Sequence, residues 1–462
     1  MKDFKYVIIG NSAAGLSCVS AIRSIDKVGE ILVVTEEDFF NYSKPLITYL
    51  LAGTTKIEDI YFKDKEFYTK NNIILKTGFK VEKIDFKNKK IISDKKEEIN
   101  YKKLLISSGG SPIIPAIDIV HENDIRAENK LEDLNNLNKL DYKNYKNIEG
   151  IFTFTSIQDS LDIKKYLLNI KKADVAILGG GLIGLKAAEA LLELGISVTI
   201  IELSDRILST SFDKDASSII ENEIKDKGSS IYTNNTIKKI FTDNNIISRI
   251  ELQNGEILNC NLLIAAIGVK PDLRTILNSK TNDDPIETKT GIIVDNKMKT
   301  SLKDVYAAGD VVESFDLITG KNANIAIWPL AVRQGYTAGI NMAGEEYFYN
   351  GGYFMNSVEI LSIPSISIGI TNIEDSENND YEIIRDLKKE IKTYKKIVIQ
   401  DDKIIGLILL GNIDRAGIYG GLIKNKIDIS QIKANLIKED FGIIELPANY
   451  KKHLVIGDGI EV

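Results

Sequence analysis

Cysteine and histidine are scarce in this chain: its 462 residues hold only two of each, with one tryptophan and eight prolines. Cys18 and Cys260 lie far apart with no C-x-x-C spacing. A four-thiolate iron–sulfur cluster and a cysteine-based structural zinc site are therefore excluded, and no metal site is expected. His121 and His453 sit in polar, exposed-looking stretches, so a hydrolase built on a histidine base is a poor fit. Any redox chemistry must come from a bound organic cofactor. No apolar run approaches the roughly 18 residues that a membrane-spanning helix needs. Positive charge is not in excess either: the formal net charge is −7 and the pI near 5.3, which leaves no footprint for nucleic acid. The opening MKDFKYVIIG reads as a short polar lead into a strand and not as a cleavable signal, so a cytoplasmic protein is expected. What remains is ordinary globular composition, 44% apolar and 27% charged, in a chain long enough for two or three domains.

Two segments carry the same strand–turn–helix–strand pattern. In the first, residues 5–9 read as a buried strand, Gly10-Asn11-Ser12-Ala13-Ala14-Gly15 as a tight turn, residues 16–24 as a helix and residues 31–34 as the next strand. Small residues in such a turn let backbone N–H groups approach a pyrophosphate at the helix N-terminus, where the dipole favours negative charge. Glu36, with Glu37 as the fallback, stands where an acid accepts from a ribose hydroxyl, and Ser12 replaces the middle glycine of G-x-G-x-x-G. The second copy is complete. A strand over 173–178 leads into Gly179-Gly180-Gly181-Leu182-Ile183-Gly184, a helix over 185–194, and a strand over 198–201 ending at Glu202. Glu202 falls roughly 20 residues after the turn, the spacing of the ribose-binding acid. It repels a 2′-phosphate, so NAD is favoured over NADP, although Arg206 follows closely. Gly179, Gly181, Leu182, Ile183 and Gly184 are the backbone contacts this reading implies. Two dinucleotides, or one duplicated site, are both compatible with the pair of motifs.

In their order along the chain, these and further motifs resemble the FAD-dependent pyridine nucleotide–disulfide oxidoreductase superfamily. The segment 104–109 (LLISSG), with Ser108 and Gly109, resembles the return strand after the FAD unit, and IAAIGVKP, with Gly268, resembles its counterpart after the NAD unit. TSLKDVYAAGD resembles the segment whose final acid holds the ribityl chain of FAD, which implies that role for Asp310 and a close backbone approach at Gly309. Val81 in TGFKVEKID matches the strand that meets the adenine. Trp328-Pro329 match the helix start against the flavin's pyrimidine edge. On this resemblance Gly10, Ser12, Ala13, Ala14, Gly15 and Glu36 hold FAD, and Gly179–Gly184 with Glu202 hold NAD(H).

The departures from that superfamily narrow the branch. Where disulfide reductases and their thiol-dependent relatives carry a redox cysteine, this chain reads Asn41-Tyr42-Ser43-Lys44-Pro45, with Ser43 at the thiol position. A serine forms neither a thiolate nor a sulfenic acid. Cys18, on the helix behind the first turn, reads as core packing. The Y-S-K-P pattern resembles NADH:rubredoxin reductases and the flavin domains of assimilatory nitrite reductases. This resemblance places Lys44 and Pro45 beside the flavin, and a cation there stabilises the negative charge that develops on reduction. Lys186 stands where relatives carry a glutamate able to pair with this lysine, and Glu189 is one turn further on.

The expected fold class is α/β: two Rossmann-like domains plus a C-terminal α+β interface domain. The expected division is an FAD-binding domain from 1–118 and 284–345, an NAD-binding domain from 145–283, and a homodimerising module from 346–462. Residues 119–144 read as a charged, Asn-rich insertion, either mobile or a docking element. The expected chemistry is hydride transfer from NADH to FAD, with electrons leaving to an external acceptor such as a rubredoxin- or ferredoxin-like carrier. Oxygen, a quinone-like dye, a larger enzyme complex, and a non-catalytic NADH sensor are the alternatives.

Overall fold

The computed structural model describes residues 3–122, 139–279, 286–373, 380–447 and 450–451. The chain divides into two compact units. One comprises Met1–Ile113, Thr153–Asn169 and Gly268–Gly352; the other comprises Ile114–Phe152, Ile170–Ile267 and Tyr353–Val462.

The first unit is organised by a seven-stranded sheet. Ile73–Lys76, Ile31–Val34, Asp3–Ile9 and Glu98–Ile106 run parallel, and the hairpin of Lys90–Ser93 and Val81–Asp85 continues antiparallel. The long strand Glu98–Ile106 changes partner midway. Glu98–Asn100 pair with the hairpin, and Leu104–Ile106 pair in parallel with Val305–Ala307. Ile31–Val34 is an unbroken buried run, as expected of a parallel strand covered on both faces. One face is covered by the helix Ala13–Ile25, which lies against the helix Trp328–Ala343. Those two helices approach closely because Gly335 and Gly339 are bare. A Cβ on Gly335 would stand 2.1 Å from the carbonyl oxygen of Ala14, and one on Gly339 would stand 2.4 Å from that of Cys18.

The second unit repeats the theme. Ser230–Tyr232, Val198–Ile201, Val175–Leu178, Leu262–Ala265 and Ile151–Thr153 form a five-stranded sheet in that order. A separate sheet joins Ile257–Asn259, Ile246–Leu252, Ile237–Asp243 and Asp118–His121. The C-terminal segment adds a five-stranded antiparallel sheet, from Met355–Ile360 through Ile363–Gly369, Lys403–Leu410 and Thr393–Gln400 to Glu382–Lys388, backed by the helix Ala416–Lys424. The α/β architecture with a C-terminal α+β module is thus as expected.

Three details depart from the sequence reading. Residues 153–169 and 268–279, expected with the second dinucleotide unit, pack with the first. The helix Ile157–Leu167 buries Ile157, Ser160 and Ile163, and Ser160 Oγ donates to the carbonyl of Ile47 at 3.1 Å, tying it to the helix Ile47–Ala52. The presumed insertion begins inside a sheet: Ile119–His121 pair with Ile240–Thr242, and Lys139 bridges Asp118. Its polar centre, 123–138, lies outside the described residues. His121 is accordingly a half-buried strand residue whose Nδ1 lies 2.7 Å from Thr242 Oγ1, not a solvated one. His453 lies outside the described residues.

Candidate functional site

Both glycine turns sit at the carboxyl ends of central parallel strands, the position where open α/β sheets bind ligands. Ile9 is in register with Val34 and Ile106, so the chain leaves the sheet at Gly10 between two finished neighbours. Gly10 has φ +110°, and a Cβ there would stand 2.2 Å from the Ser107 carbonyl oxygen. A Cβ on Gly15 would stand 2.0 Å from the carbonyl oxygen of Gly10, so the helix starts directly on the turn. Ser12 is the N-cap of Ala13–Ile25 but makes no side-chain cap, and the first turn, which includes Ala14, holds no acid. The second turn is the same object. Gly179 has φ +112°, Gly184 would clash with the Gly179 carbonyl oxygen at 2.0 Å, and Gly181 caps Leu182–Glu193 with no side-chain bond. Two other helices are closed by side chains, Ser156 with Asp159 before Ile157–Leu167 and Asp213 before Lys214–Asp226, while Ala416–Lys424 is also uncapped. Uncapped N-termini free of acid suit an anion.

Around the first turn, several polar groups await a ligand. Asn11 is buried. Its Oδ1 accepts from the Tyr68 hydroxyl at 2.8 Å, Tyr68 accepts from Asn41 at 3.2 Å, and Asn41 holds the Lys63 backbone. The Nδ2 of Asn11 has no partner among the described residues. Asp310 follows Gly309, whose φ is +85°. Burial holds the Asp310 carboxyl above the ordinary carboxylate range, and the ammonium of Lys44 pulls it partway back. The neighbouring Gly309 N–H is fixed by Gln334 at 2.8 Å. Lys44 is half-buried and has no ion-pair partner among the described residues, whereas Pro45 is exposed. Trp328 opens its helix with no side-chain cap and packs edge-on to Phe62 at 5.1 Å. A buried amide with an unpartnered Nδ2, a half-buried carboxylate beside Lys44 and two uncapped helix ends fit a dinucleotide with a polyhydroxyl chain and a ring system.

The remaining expected residues of this unit are more peripheral. Glu36 is exposed and pairs with Arg274 at 3.3 Å, while Glu37 accepts from the buried Tyr42 hydroxyl at 3.2 Å. The Val81 carbonyl already accepts from Thr275 Oγ1 at 3.0 Å. Ser108 Oγ donates to the Asp272 carbonyl at 3.0 Å. Gly109, φ +72°, faces open space, and Gly268, φ +129°, accepts from the Ile113 N–H, joining Val269–Pro271 to Gly110–Pro112.

Around the second turn, Glu202 is already oriented. Its Oε2 accepts from the Gly180 N–H at 2.7 Å and its Oε1 from the Ser204 N–H at 2.7 Å. The carboxylate keeps free lone pairs for a diol, and the N–H at Ile183 lies in the helix's first turn. No atom would meet a Cβ on Gly181 within 4 Å, so that side of the turn is open. Lys186 pairs with Glu189 and also donates to the Glu359 carbonyl at 3.2 Å, so its charge is compensated locally. A surface cavity of about 420 Å3, lined in part by Lys172, Asp174 and Asn259, opens at the other end of these strands, away from the turn.

Both thiols are core groups. Cys18 is fully buried with its Sγ 3.7 Å from Met342 Sδ, and burial pushes its pKa far up. Cys260 is equally buried and its thiol is pushed up to about 12. Neither can serve as a thiolate relay.

Sequence reasoning missed Asn11, Tyr68, Gln334, Gly335 and Gly339. The G-x-x-x-G spacing inside the helix Trp328–Ala343 was a visible signal for the two glycines; the Asn11–Tyr68–Asn41 chain had none, since its members are brought together only by folding.

Two dinucleotide-type turns at the ends of parallel strands, one in the unit that also carries the half-buried Asp310, suit a protein that holds two nucleotides. The chain belongs to the pyridine nucleotide-disulphide oxidoreductase family, whose pattern it matches over residues 4–335, and residues 355–427 match the rubredoxin NAD+ reductase C-terminal domain. It is an NAD(P)H-dependent oxidoreductase that uses FAD. Among its relatives is the NADH-rubredoxin oxidoreductase of Clostridium acetobutylicum, 30% identical over 424 residues, covering 91% of this chain and 92% of that one. The NADH-dependent phenylglyoxylate dehydrogenase subunit epsilon of Aromatoleum evansii is 29% identical over 427 residues, covering 91% of each. The crystal structure of the Clostridium acetobutylicum NADH:rubredoxin oxidoreductase superposes with a TM-score of 0.69 at 27% identity, covering 94% of this chain and 98% of that one. No helix among the described residues is long and apolar enough to cross a membrane.

Proposed function

We propose that the protein takes hydride from NADH at the Gly179–Gly184 turn and delivers electrons to a small acidic redox protein of the rubredoxin or ferredoxin kind. FAD, once bound at the Gly10–Gly15 turn, supplies the exchange between two-electron and one-electron chemistry. The chain's own part is to hold and tune that group. Asp310 accepts from a ribityl hydroxyl, the Asn11 amide and the uncapped helix at Ala13 receive phosphate, and Lys44, with no ion-pair contact among the described residues, places an ammonium close to Asp310. A fixed cation in a partly water-excluded site stabilises charge that appears on reduction. The observation that carries the reading is the pairing of Ser43 with Lys44: no thiol stands between flavin and acceptor, so electrons leave through the flavin edge itself. The match of residues 355–427 to a rubredoxin NAD+ reductase module and the NADH-rubredoxin oxidoreductase relative support a protein acceptor. Glu202, held toward the turn by two backbone N–H groups, supports NADH over NADPH.

The test is a comparison of acceptors across ionic strength. NADH-to-carrier electron transfer should exceed NADH-to-oxygen transfer and, with the cation at Lys44 steering an acidic carrier locally against the chain's net charge of −7, fall between low and high salt. A carrier rate indifferent to salt, or an oxygen rate well above it, would make this an NADH oxidase, an activity named in another relative, from Methanocaldococcus jannaschii, 30% identical over 374 residues. Flavin reduction by NADH without turnover on any acceptor would make it a sensor. The reading includes a cytoplasmic setting and a homodimer formed through residues 346–462, both resting on the family resemblance; a monomer in sedimentation velocity would remove the dimer.

A further inference from the structure

The loop that follows Glu202 is held from two sides within the second unit. On the nucleotide side, the Ser204 N–H binds the Glu202 carboxylate, the Leu208 N–H donates to the Gly180 carbonyl at 2.9 Å, and Ser209 Oγ donates to Ser204 Oγ at 3.0 Å. On the other side, the C-terminal module grips it. Thr371 Oγ1 donates to the Ser211 carbonyl at 2.9 Å, and Asn372 Nδ2 donates to the Ser209 carbonyl. Asp213 at the loop's end receives Tyr394 Oη at 2.7 Å and the ammonium of Lys396 at 2.9 Å, with Lys396 only 2% exposed. A buried ion pair of this kind is a geometric constraint more than a source of stability, because removing either partner leaves an uncompensated charge.

Arg206 lies in the middle of this loop, and each part of its guanidinium is engaged. Nε donates to the Phe212 carbonyl at 3.2 Å, Nη1 pairs with Asp205 at 2.7 Å, and Nη2 donates to Asn372 Oδ1 at 3.1 Å. An arginine just after the ribose-binding strand is the group that accommodates a 2′-phosphate. Here Ser204 and Ser209 link its surroundings to Glu202, so the guanidinium lies one loop turn from the ribose position yet is turned toward the C-terminal module.

We propose that the C-terminal module is a specificity-determining part of the nucleotide site: Asn372, with Asp205, holds Arg206 away from the 2′ position, so that Glu202 alone faces the ribose and a 2′-phosphate is refused. This rests on the assignment of the Gly179–Gly184 turn as the NADH site. Asn372 touches no nucleotide in this account; it is a positioning residue acting through Arg206.

The test is isothermal titration of the flavin-loaded protein with ADP and with 2′,5′-ADP, which needs no turnover. The wild type should bind ADP and bind 2′,5′-ADP at least tenfold more weakly. Asn372→Ala combined with Asp205→Asn should strengthen 2′,5′-ADP binding at least tenfold with ADP unchanged, and adding Arg206→Ala should cancel the gain. Asn372→Asp, which keeps an acceptor on the guanidinium, should show no gain and serves as the folded control. An unchanged 2′,5′-ADP affinity in the double variant with ADP binding intact overturns the proposal, as does a gain that survives Arg206→Ala. Wild-type protein that binds no ADP, or binds it equally well after Gly184→Val, overturns the site assignment instead, and the proposal with it.

Discussion

The two glycine turns are nearly superimposable in local terms and differ in almost everything around them. Gly10 and Gly179 share a φ within 2° (+110° and +112°), and a Cβ on either Gly15 or Gly184 would stand 2.0 Å from the carbonyl oxygen of that first glycine. Beyond the turn, the first site is completed by remote chain: Tyr68 and Asn41 behind Asn11, then Asp310 and Lys44. The second is completed locally, by Glu202 and the loop 204–213, with the C-terminal module holding that loop. The turn alone therefore does not distinguish the two sites; their surroundings do, with the half-buried Asp310 in one case and the doubly anchored Glu202 in the other.

That contrast predicts separable losses. Gly15→Val should give a colourless protein, because a side chain 2.0 Å from a carbonyl forces helix and strand apart at a cost of about 3 kcal/mol or more. Gly184→Val should purify yellow but bind NADH at least about a hundredfold more weakly, equivalent to about 2.8 kcal/mol. Flavin absorbance after purification and calorimetric NADH titration read the two outcomes. Flavin loss in the Gly184 variant would show the sites to be one cooperative object.

The next effect is confined to the first site. Asp310→Ala should weaken FAD retention by about 1.5–3 kcal/mol, the worth of a hydrogen bond to a charged group. The carboxyl's raised pKa gives the sign of the pH dependence. The folded, flavin-free chain takes up a proton that the unfolded chain releases, so its stability rises as pH falls through the raised folded value and levels off below the ordinary 3.8. FAD binding runs the other way, since ribityl donation favours the ionised acid, so flavin is released on acidification. Lys44→Met removes the charge that opposes the upward shift and should move release to higher pH. Identical acid-release curves for wild type and Asp310→Asn would remove Asp310 from the site.

The smallest effect is expected at the thiols. Cys18→Ala with Cys260→Ala should leave NADH-dependent dye reduction within about twofold while costing about 1 kcal/mol of stability per site through lost packing. A well-folded double variant that accepts hydride but cannot pass electrons on would restore a sulfur relay and erase the distinction between this chain and the disulfide reductases.

Legibility in the sequence followed the range of the interaction. Strands and turns at 5–15 and 175–184 were readable because hydrophobic runs and glycine spacing act over a few residues, and the missing redox cysteine was readable as one letter, Ser43. Segment membership was not: Ile157–Leu167 packs with the first unit because its apolar face meets Ile47–Ala52 more than a hundred positions earlier. Lys186 looked like surplus positive charge, but the structure gives it Glu189 and a carbonyl from Glu359.

By itself, then, the sequence determined that two glycine-rich dinucleotide-type turns exist, that an acid follows each, and that a serine stands at the redox-cysteine position, since each depends on residue identity at short spacing. Tertiary structure alone decided that the Asn11 Nδ2 is buried without a partner among the described residues, that Lys44 stands near Asp310 while Lys186 is paired with Glu189, and that Arg206 is tied to Asn372. Those are statements about desolvation and about partners that folding brings together, as with Arg206 and Asn372, 166 positions apart. A charge or an amide acquires its chemical role only once folding has chosen which groups stand beside it and how much water remains.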